Sequence, residues 1–156
     1  MPHLNPSCGR VLGPKSGLAT ILSTVAYGET YRFCDGVDVH QPTRNVCFTD
    51  VSVVYDIKQF ETTTNVKDST GRLLKCDVGN NEVTVLLRNL SFPGGVAVDD
   101  DEEFVLVSEF IGNRTQKIQV QGRNPYESGI VNTRPIPDNI KKVRSYGFWI
   151  AATRIY

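Results

Sequence analysis

Apolar residues recur at every second position through much of the chain, the spacing of half-buried strands. Val83, Val85 and Leu87 alternate with Glu82, Thr84 and Leu86, and Ile118 and Val120 alternate with Lys117, Gln119 and Gln121. Phe104 to Val107 and Phe148 to Ala151 are continuous apolar runs bounded by turn residues. Such runs predict strands covered on both faces. No segment carries a convincing amphipathic helical period, and the polar, Thr-rich stretch 58–68 reads as a loop.

The strands are organised as a repeat. Asp35 to Val39 is followed by Val46 to Asp50, Gly94 to Val98 by Val105 to Glu109, and Asp138 to Lys142 by Phe148 to Ala152. Each time a short β segment leaves a polar or Gly-containing corner, turns, and returns as an apolar strand ending in small or acidic residues. The step from Gly36 to Asp50 is 14 residues, and so is the step from Gly95 to Glu109. Two further strands fill each interval: Thr70 to Asp77 with Glu82 to Leu90, then Gln116 to Gly122 with Ser128 to Pro135. Four strands per unit at a period of roughly 45–60 residues is the pattern of a β-propeller. A four-stranded blade exposes two apolar faces and must stack on a neighbour to hide them. A β-sandwich is the alternative, but it would not need the corner-and-strand pairing to recur. The fold class is therefore all-β.

Composition narrows the possible functions. Of the 156 residues, 40% are hydrophobic, enough for a packed core. Basic and acidic residues balance at 17 each, so nothing draws a polyanion and no nucleic-acid partner is expected. No apolar run approaches the ~20 residues of a membrane span. The opening MPHLNPSCGR lacks an apolar h-region and does not read as a secretory signal. Cys8, Cys34, Cys47 and Cys76 form no C-x-x-C pair, and His3 and His40 are far apart, which disfavours zinc. Cys34, Cys47 and Cys76 read as small buried residues. With His3 in a tail and His40 beside a turn, no serine or cysteine nucleophile has an evident base. Two sequons, at Asn89 and Asn113, offer glycosylation sites. The acid run Asp99 to Glu103 lacks the alternation and central glycine of an EF-hand loop and reads as a solvated hairpin turn.

With these elements in place, the chain resembles the plant strictosidine synthase-like family. The resemblance runs from Ser16 to Ile150. Arg32-Phe33-Cys34-Asp35-Gly36 is similar to the family's R-F-x-N-G corner, and Phe48-Thr49-Asp50-Val51-Ser52 to its F-T-D-x-S strand end. Asp68 to Lys75 resembles D-K-T-G-R-L-x-K, and Phe92-Pro93-Gly94-Gly95 resembles the P-G-G or P-N-G corner. Pro137 to Lys141 with Phe148-Trp149 resembles P-D-N-I-K/R…F-W. The resemblance implies a partial six-bladed β-propeller of about two and a half blades. Residues 16–156 would form the propeller fragment and 1–15 an irregular N-terminal remnant. Cys8-Gly9-Arg10 is similar to the family's C-G-R-P-L-G, but the strand pair that follows it in relatives is missing, so Cys8 is expected to lack its disulfide partner.

The resemblance also implies chemistry. The family reaction is a Pictet–Spengler condensation of an arylethylamine with an aldehyde, a lyase activity of alkaloid biosynthesis. It needs an aromatic-lined pocket and one tuned carboxylate. Positions matching the pocket are Phe33, Thr64, Phe92 and Phe110, although the phenylalanines also fit a core between blades. The family's acid–base glutamate is expected beyond Tyr156, so no catalytic residue is assigned here and the chain is expected to be inactive alone. A small molecule is the implied partner, and the secretory pathway or vacuole the implied location. The calcium-dependent esterase or lactonase branch of the superfamily is the alternative. Its metal positions match Asp35, Asp138 and Asn139, with Gly94 standing where a ligand is lost; otherwise no cofactor is implied. A third reading is a non-enzymatic truncated product whose open blade edges would pair or aggregate.

Overall fold

The computed structural model describes residues 10–12, 19–131, 136–143 and 147–153. The chain is almost entirely antiparallel strand. β1 (Arg10–Leu12) pairs with β2 (Ala19–Ile21), and β3 (Val25–Ala26) with β4 (Glu29–Thr30). β1 lies within the stretch expected to be irregular. Two four-stranded sheets follow. The first runs β5 (Cys34–Val39), β6 (Val46–Asp50), β7 (Gly71–Asp77), β8 (Glu82–Leu90). The second runs β9 (Pro93–Val98), β10 (Phe104–Glu109), β11 (Arg114–Gln119), β12 (Ser128–Val131). β13 (Ile136–Val143) and β14 (Gly147–Thr153) form a two-stranded sheet. In both four-stranded sheets neighbours in sequence are neighbours in space, the up-and-down order of a propeller blade. The molecule is an all-β partial six-bladed propeller: two blades and the inner half of a third.

The hairpin turns follow from residues that tolerate a left-handed backbone. Asn81 (φ 59°) closes the β7–β8 turn, and Asn113 (φ 50°) lies in the β10–β11 turn. Asparagine visits this region at least cost among residues with a Cβ. Asp77 reinforces the first turn by accepting a hydrogen bond from the Gly79 N–H at 2.8 Å.

Period-two alternation decides which face each side chain covers. Val96, Val98, Val105, Val107 and Ile118 of the second blade pack against Cys47, Leu73, Leu86 and Leu90 of the first. The residues between them, Ala97 and Leu106, face the other way and pack on Ile140, Phe148 and Ile150 of the half-blade. The free face of the first blade, with Leu74, Phe48, Val83 and Val85, is covered by Ala26 and Tyr31 of the β3–β4 hairpin. Fully burying one such side chain contributes about 1.5–3 kcal/mol, so the interblade layer dominates stability. Cys47 and Cys76 are buried free thiols and Cys34 is half-buried. Burial pushes the Cys47 thiol up to about 12, so it stays unreactive at neutral pH. Cys8 and His3 lie outside the described residues.

Three sequence expectations need correction. The stretch 58–68 is not a plain loop: Ile57–Gln59 forms a 3-10 turn that leads into α1 (Phe60–Asn65). An Asp56–Gln59 capping box starts it, each side chain taking the other residue's backbone N–H. Phe148 to Ala151 forms a strand, but it is not covered on both faces, and Trp149 is 69% exposed. The acid run makes the β9–β10 turn, yet Glu102 is buried rather than solvated. His40 lies beside the β5–β6 turn, as expected, and its side chain is buried there. The strand expected over Ser128 to Pro135 is seen as Ser128–Val131, and 132–135 lie outside the described residues.

Candidate functional site

The inner strand of each full blade is entered through a phenylalanine. Phe33 precedes β5 and Phe92 precedes β9, at one end of the molecule. Both are held by the same three-part arrangement. The carbonyl of Phe33 accepts from the Val51 N–H at 2.7 Å, and that of Phe92 from the Phe110 N–H at 3.0 Å. The acid ending the second strand captures the loop before the inner strand. Asp50 accepts from the N–H groups of Arg32 (3.2 Å) and Phe33 (3.0 Å), and Glu109 from that of Ser91 (2.7 Å). An arginine opposite each acid on the third strand completes the lock. Arg72 meets Asp50 at 2.6 Å, and Arg114 meets Glu109 at 2.5 Å, with Gln116 adding a bond at 2.6 Å.

The corner so built is aromatic. Phe33 and Phe110 lie against Phe92, with ring centroids 5.7 and 5.9 Å away, and Val51 and Ile111 close the cluster. α1 adds a fourth ring: Phe60 meets Phe92 at 5.4 Å and 86°, an edge-to-face contact. Phe92 itself is buried at φ 56°. A bulky residue in the left-handed region is strained, and such strain concentrates at binding and catalytic sites.

Further along the inner strands, a hydroxyl ties each blade to the next. Thr49 Oγ1 accepts from the Gly36 N–H at 2.8 Å and donates to the Gly94 carbonyl of the second blade at 3.0 Å. Ser108 Oγ repeats this, accepting from the Gly95 N–H at 2.8 Å and donating to the Asp138 carbonyl of the half-blade. The strands approach so closely that a Cβ on Gly36 would collide with the Gly94 carbonyl, and one on Gly95 with the backbone of β13. Asp35, Gly94 and Asp138 thus occupy equivalent places on three adjacent inner strands. Partial desolvation, and then the charge of Asp138, hold the Asp35 carboxyl above its ordinary value. Asn139 is exposed beside them. Among the described residues no group of three or more His, Cys, Asp or Glu is placed to hold a metal.

At the opposite end of the blades lies a buried polar cluster. Glu102 reaches from the second blade's turn to Lys75 (2.6 Å), Asn45 (2.8 Å) and Thr43 (3.1 Å) of the first. His40 joins through Thr43 (2.8 Å) and the Asp100 carbonyl (2.7 Å). Burial alone would raise the Glu102 carboxyl, but the bonds from Lys75, Asn45 and Thr43 outweigh it and hold it below its usual value.

The family model for strictosidine synthase matches residues 35–123, from the first inner strand past β11, and so covers the first blade and three of the four strands of the second. The chain belongs to the strictosidine synthase family. It is 37% identical over 145 residues to strictosidine synthase of Catharanthus roseus, covering 92% of this chain and 41% of that protein. It is 38% identical over 144 residues to strictosidine synthase-like protein 12 of Arabidopsis thaliana, covering 91% of this chain and 43% of that one. The chain thus spans about two fifths of the length of these relatives. Among solved structures it matches a chain of the nidogen/laminin complex with a TM-score of 0.61 at 12% identity, over 86% of this chain and 43% of that one, a likeness of fold alone.

Of the pocket positions expected from strictosidine synthase family motifs, Phe33, Phe92 and Phe110 are brought together. Thr64 is not in that cluster: its hydroxyl donates to the carbonyls of Phe60 (2.9 Å) and Glu61 (3.0 Å) within α1. What α1 contributes to the corner is Phe60, which reading 58–68 as a loop missed. The Asp-x-x-Gln capping signal at Asp56 could have found it. Asn89 and Asn113 are both exposed with a left-handed backbone, Asn89 at a register shift near the end of β8 and Asn113 in the β10–β11 turn.

Proposed function

We propose that the aromatic corner is the aryl-binding wall of a Pictet–Spengler-type site, in which an arylethylamine is presented to an aldehyde. The observation that carries this reading is Phe92, buried at φ 56° and ringed by Phe33, Phe60 and Phe110. Edge-to-face aromatic sites accept a flat aryl group at about 0.5–1.5 kcal/mol per ring pair beyond area burial. The condensation also needs a carboxylate to take a proton from the aryl ring. The two acids beneath the corner cannot serve. Asp50 and Glu109 are buried, and their oxygens are engaged by Arg72, Arg114, Gln116 and backbone N–H groups. On this reading the chain binds the amine and does not complete the reaction alone. Titrating it with tryptamine should show binding that Phe92→Ala abolishes, and adding secologanin should yield no strictosidine. Absence of tryptamine binding would overturn the site; strictosidine formation would overturn the inactivity.

A second reading, a divalent cation between Asp35 and Asp138, rests on their equivalent places on the inner strands, where partial desolvation and then the charge of Asp138 raise the Asp35 carboxyl. With Asn139 the set has two carboxylates and one amide, few for a hard cation that takes six to eight oxygens. A calcium titration with no heat signal would remove it. A secretory or vacuolar location agrees with the exposure of Asn89 and Asn113. Loss of mass on treating plant-expressed protein with a peptide N-glycosidase would support it, and an unmodified mass would count against it.

A further inference from the structure

We infer that Phe60 is a displaceable stopper that sets which aryl groups reach Phe92, an inference that rests on the aryl-binding reading above. Phe92 is in contact with three rings, and these differ in how firmly they are held. Phe33 is buried beside the fully buried Val51 and pinned by the Asp50–Arg72 lock. Phe110 is tied through its backbone to the Phe92 carbonyl. Phe60 is 48% exposed and sits at the first position of a six-residue helix. Its ring touches the cluster through one edge-to-face contact with Phe92.

The helix itself is weakly committed. Three threonines lower its propensity, and its one buried residue is Thr63, whose hydroxyl turns back to the Gln59 carbonyl. The ring is already about half exposed, so only its buried half is lost from packing when Phe60 swings outward. An aryl group arriving from solvent therefore competes with Phe60, not with Phe33, for the Phe92 face. The competition penalises ligands in proportion to the ring area they must displace, so a bicyclic arylethylamine is disfavoured relative to a monocyclic one.

The test is calorimetric titration of the full chain with tryptamine and with phenethylamine, for wild type, Phe60→Ala, Phe60→Trp and Phe92→Ala. Releasing one edge-to-face contact should strengthen tryptamine binding by Phe60→Ala roughly two- to tenfold. Phenethylamine should gain less, and Phe60→Trp should weaken both. Losing that edge-to-face contact should lower the melting temperature of Phe60→Ala by only a few degrees, so the variant stays folded through the titration. If Phe60→Ala binds tryptamine no better than wild type, or worse, Phe60 is a wall and not a stopper, while Phe92-dependent binding by wild type keeps the site. If neither wild type nor Phe60→Ala binds either amine, the aryl-binding reading fails and the stopper with it.

Discussion

Arg72 is 1% exposed and carries its charge into the first blade, where Asp50, Glu29 at 2.9 Å and the Tyr31 ring at 5.6 Å receive it. Its Nε has no hydrogen-bond partner among the described residues, so the guanidinium is already under-satisfied. Removing Asp50 would take away its buried counter-charge and leave only the part-exposed Glu29 carboxylate opposite it. Asp50→Ala is expected to cost roughly 3–5 kcal/mol, the range for breaking a buried pair, read from urea midpoints at constant m. Glu102 makes a pH prediction. Its carboxyl is held below the ordinary 4.5, so it stabilises the fold above that value and the contribution is lost as pH falls through the lowered pKa. Glu102→Gln should therefore flatten stability against pH below 4.5 while lowering it at pH 7, checked by denaturant titrations at each pH. Neither role was legible in the residues. Five consecutive acids look alike in sequence, and only the left-handed turn at Glu102 (φ 56°) aims one of them inward. Thr49-Asp50 and Ser108-Glu109 were visible as small-then-acidic strand ends, but their partners are 45 and 30 residues further on for the hydroxyls. Local pattern carries no information at that range.

The strands themselves were readable because burial marks them: those covered on both faces, such as β10, read as continuous apolar runs, and those covered on one face alternate. β6, β8, β9 and β10 lie where their periodicity places them. α1 was not readable for the converse reason. Six residues with three threonines and one buried position have no apolar stripe to display. What starts the segment is the capping box at Asp56, whose carboxylate accepts from the Lys58 N–H at 2.8 Å. Asp56→Ala is expected to cost about 0.5–2 kcal/mol locally. Amide hydrogen exchange should speed up at Val66 and Lys67, whose N–H groups close α1, while β6 and β7 keep their protection. Equal acceleration in the strands would show that α1 is part of the blade core.

The whole molecule stacks sheets around a common set of inner strands, and stacking leaves ends. The β3–β4 hairpin covers the first blade's free face, while Trp149, Ile130 and Val131 stay exposed near the other end. We expect the 156-residue chain, taken by itself, to self-associate there, with sedimentation velocity showing concentration-dependent growth that Trp149→Glu reduces. A single sharp monomer at all concentrations would contradict that. The radial stacking can be examined in either state. Gly36 and Gly95 are the two places where successive inner strands approach too closely for any Cβ. Proton-detected magic-angle-spinning NMR of the sedimented protein should show a Gly36 Hα to Val96 amide contact together with a Gly95 Hα to Ile140 amide contact. Finding both means that three blades meet at one axis; finding neither, with β5 instead adjacent to a strand of a facing sheet, would mean that the sheets are layered as a sandwich and that the aromatic corner does not exist.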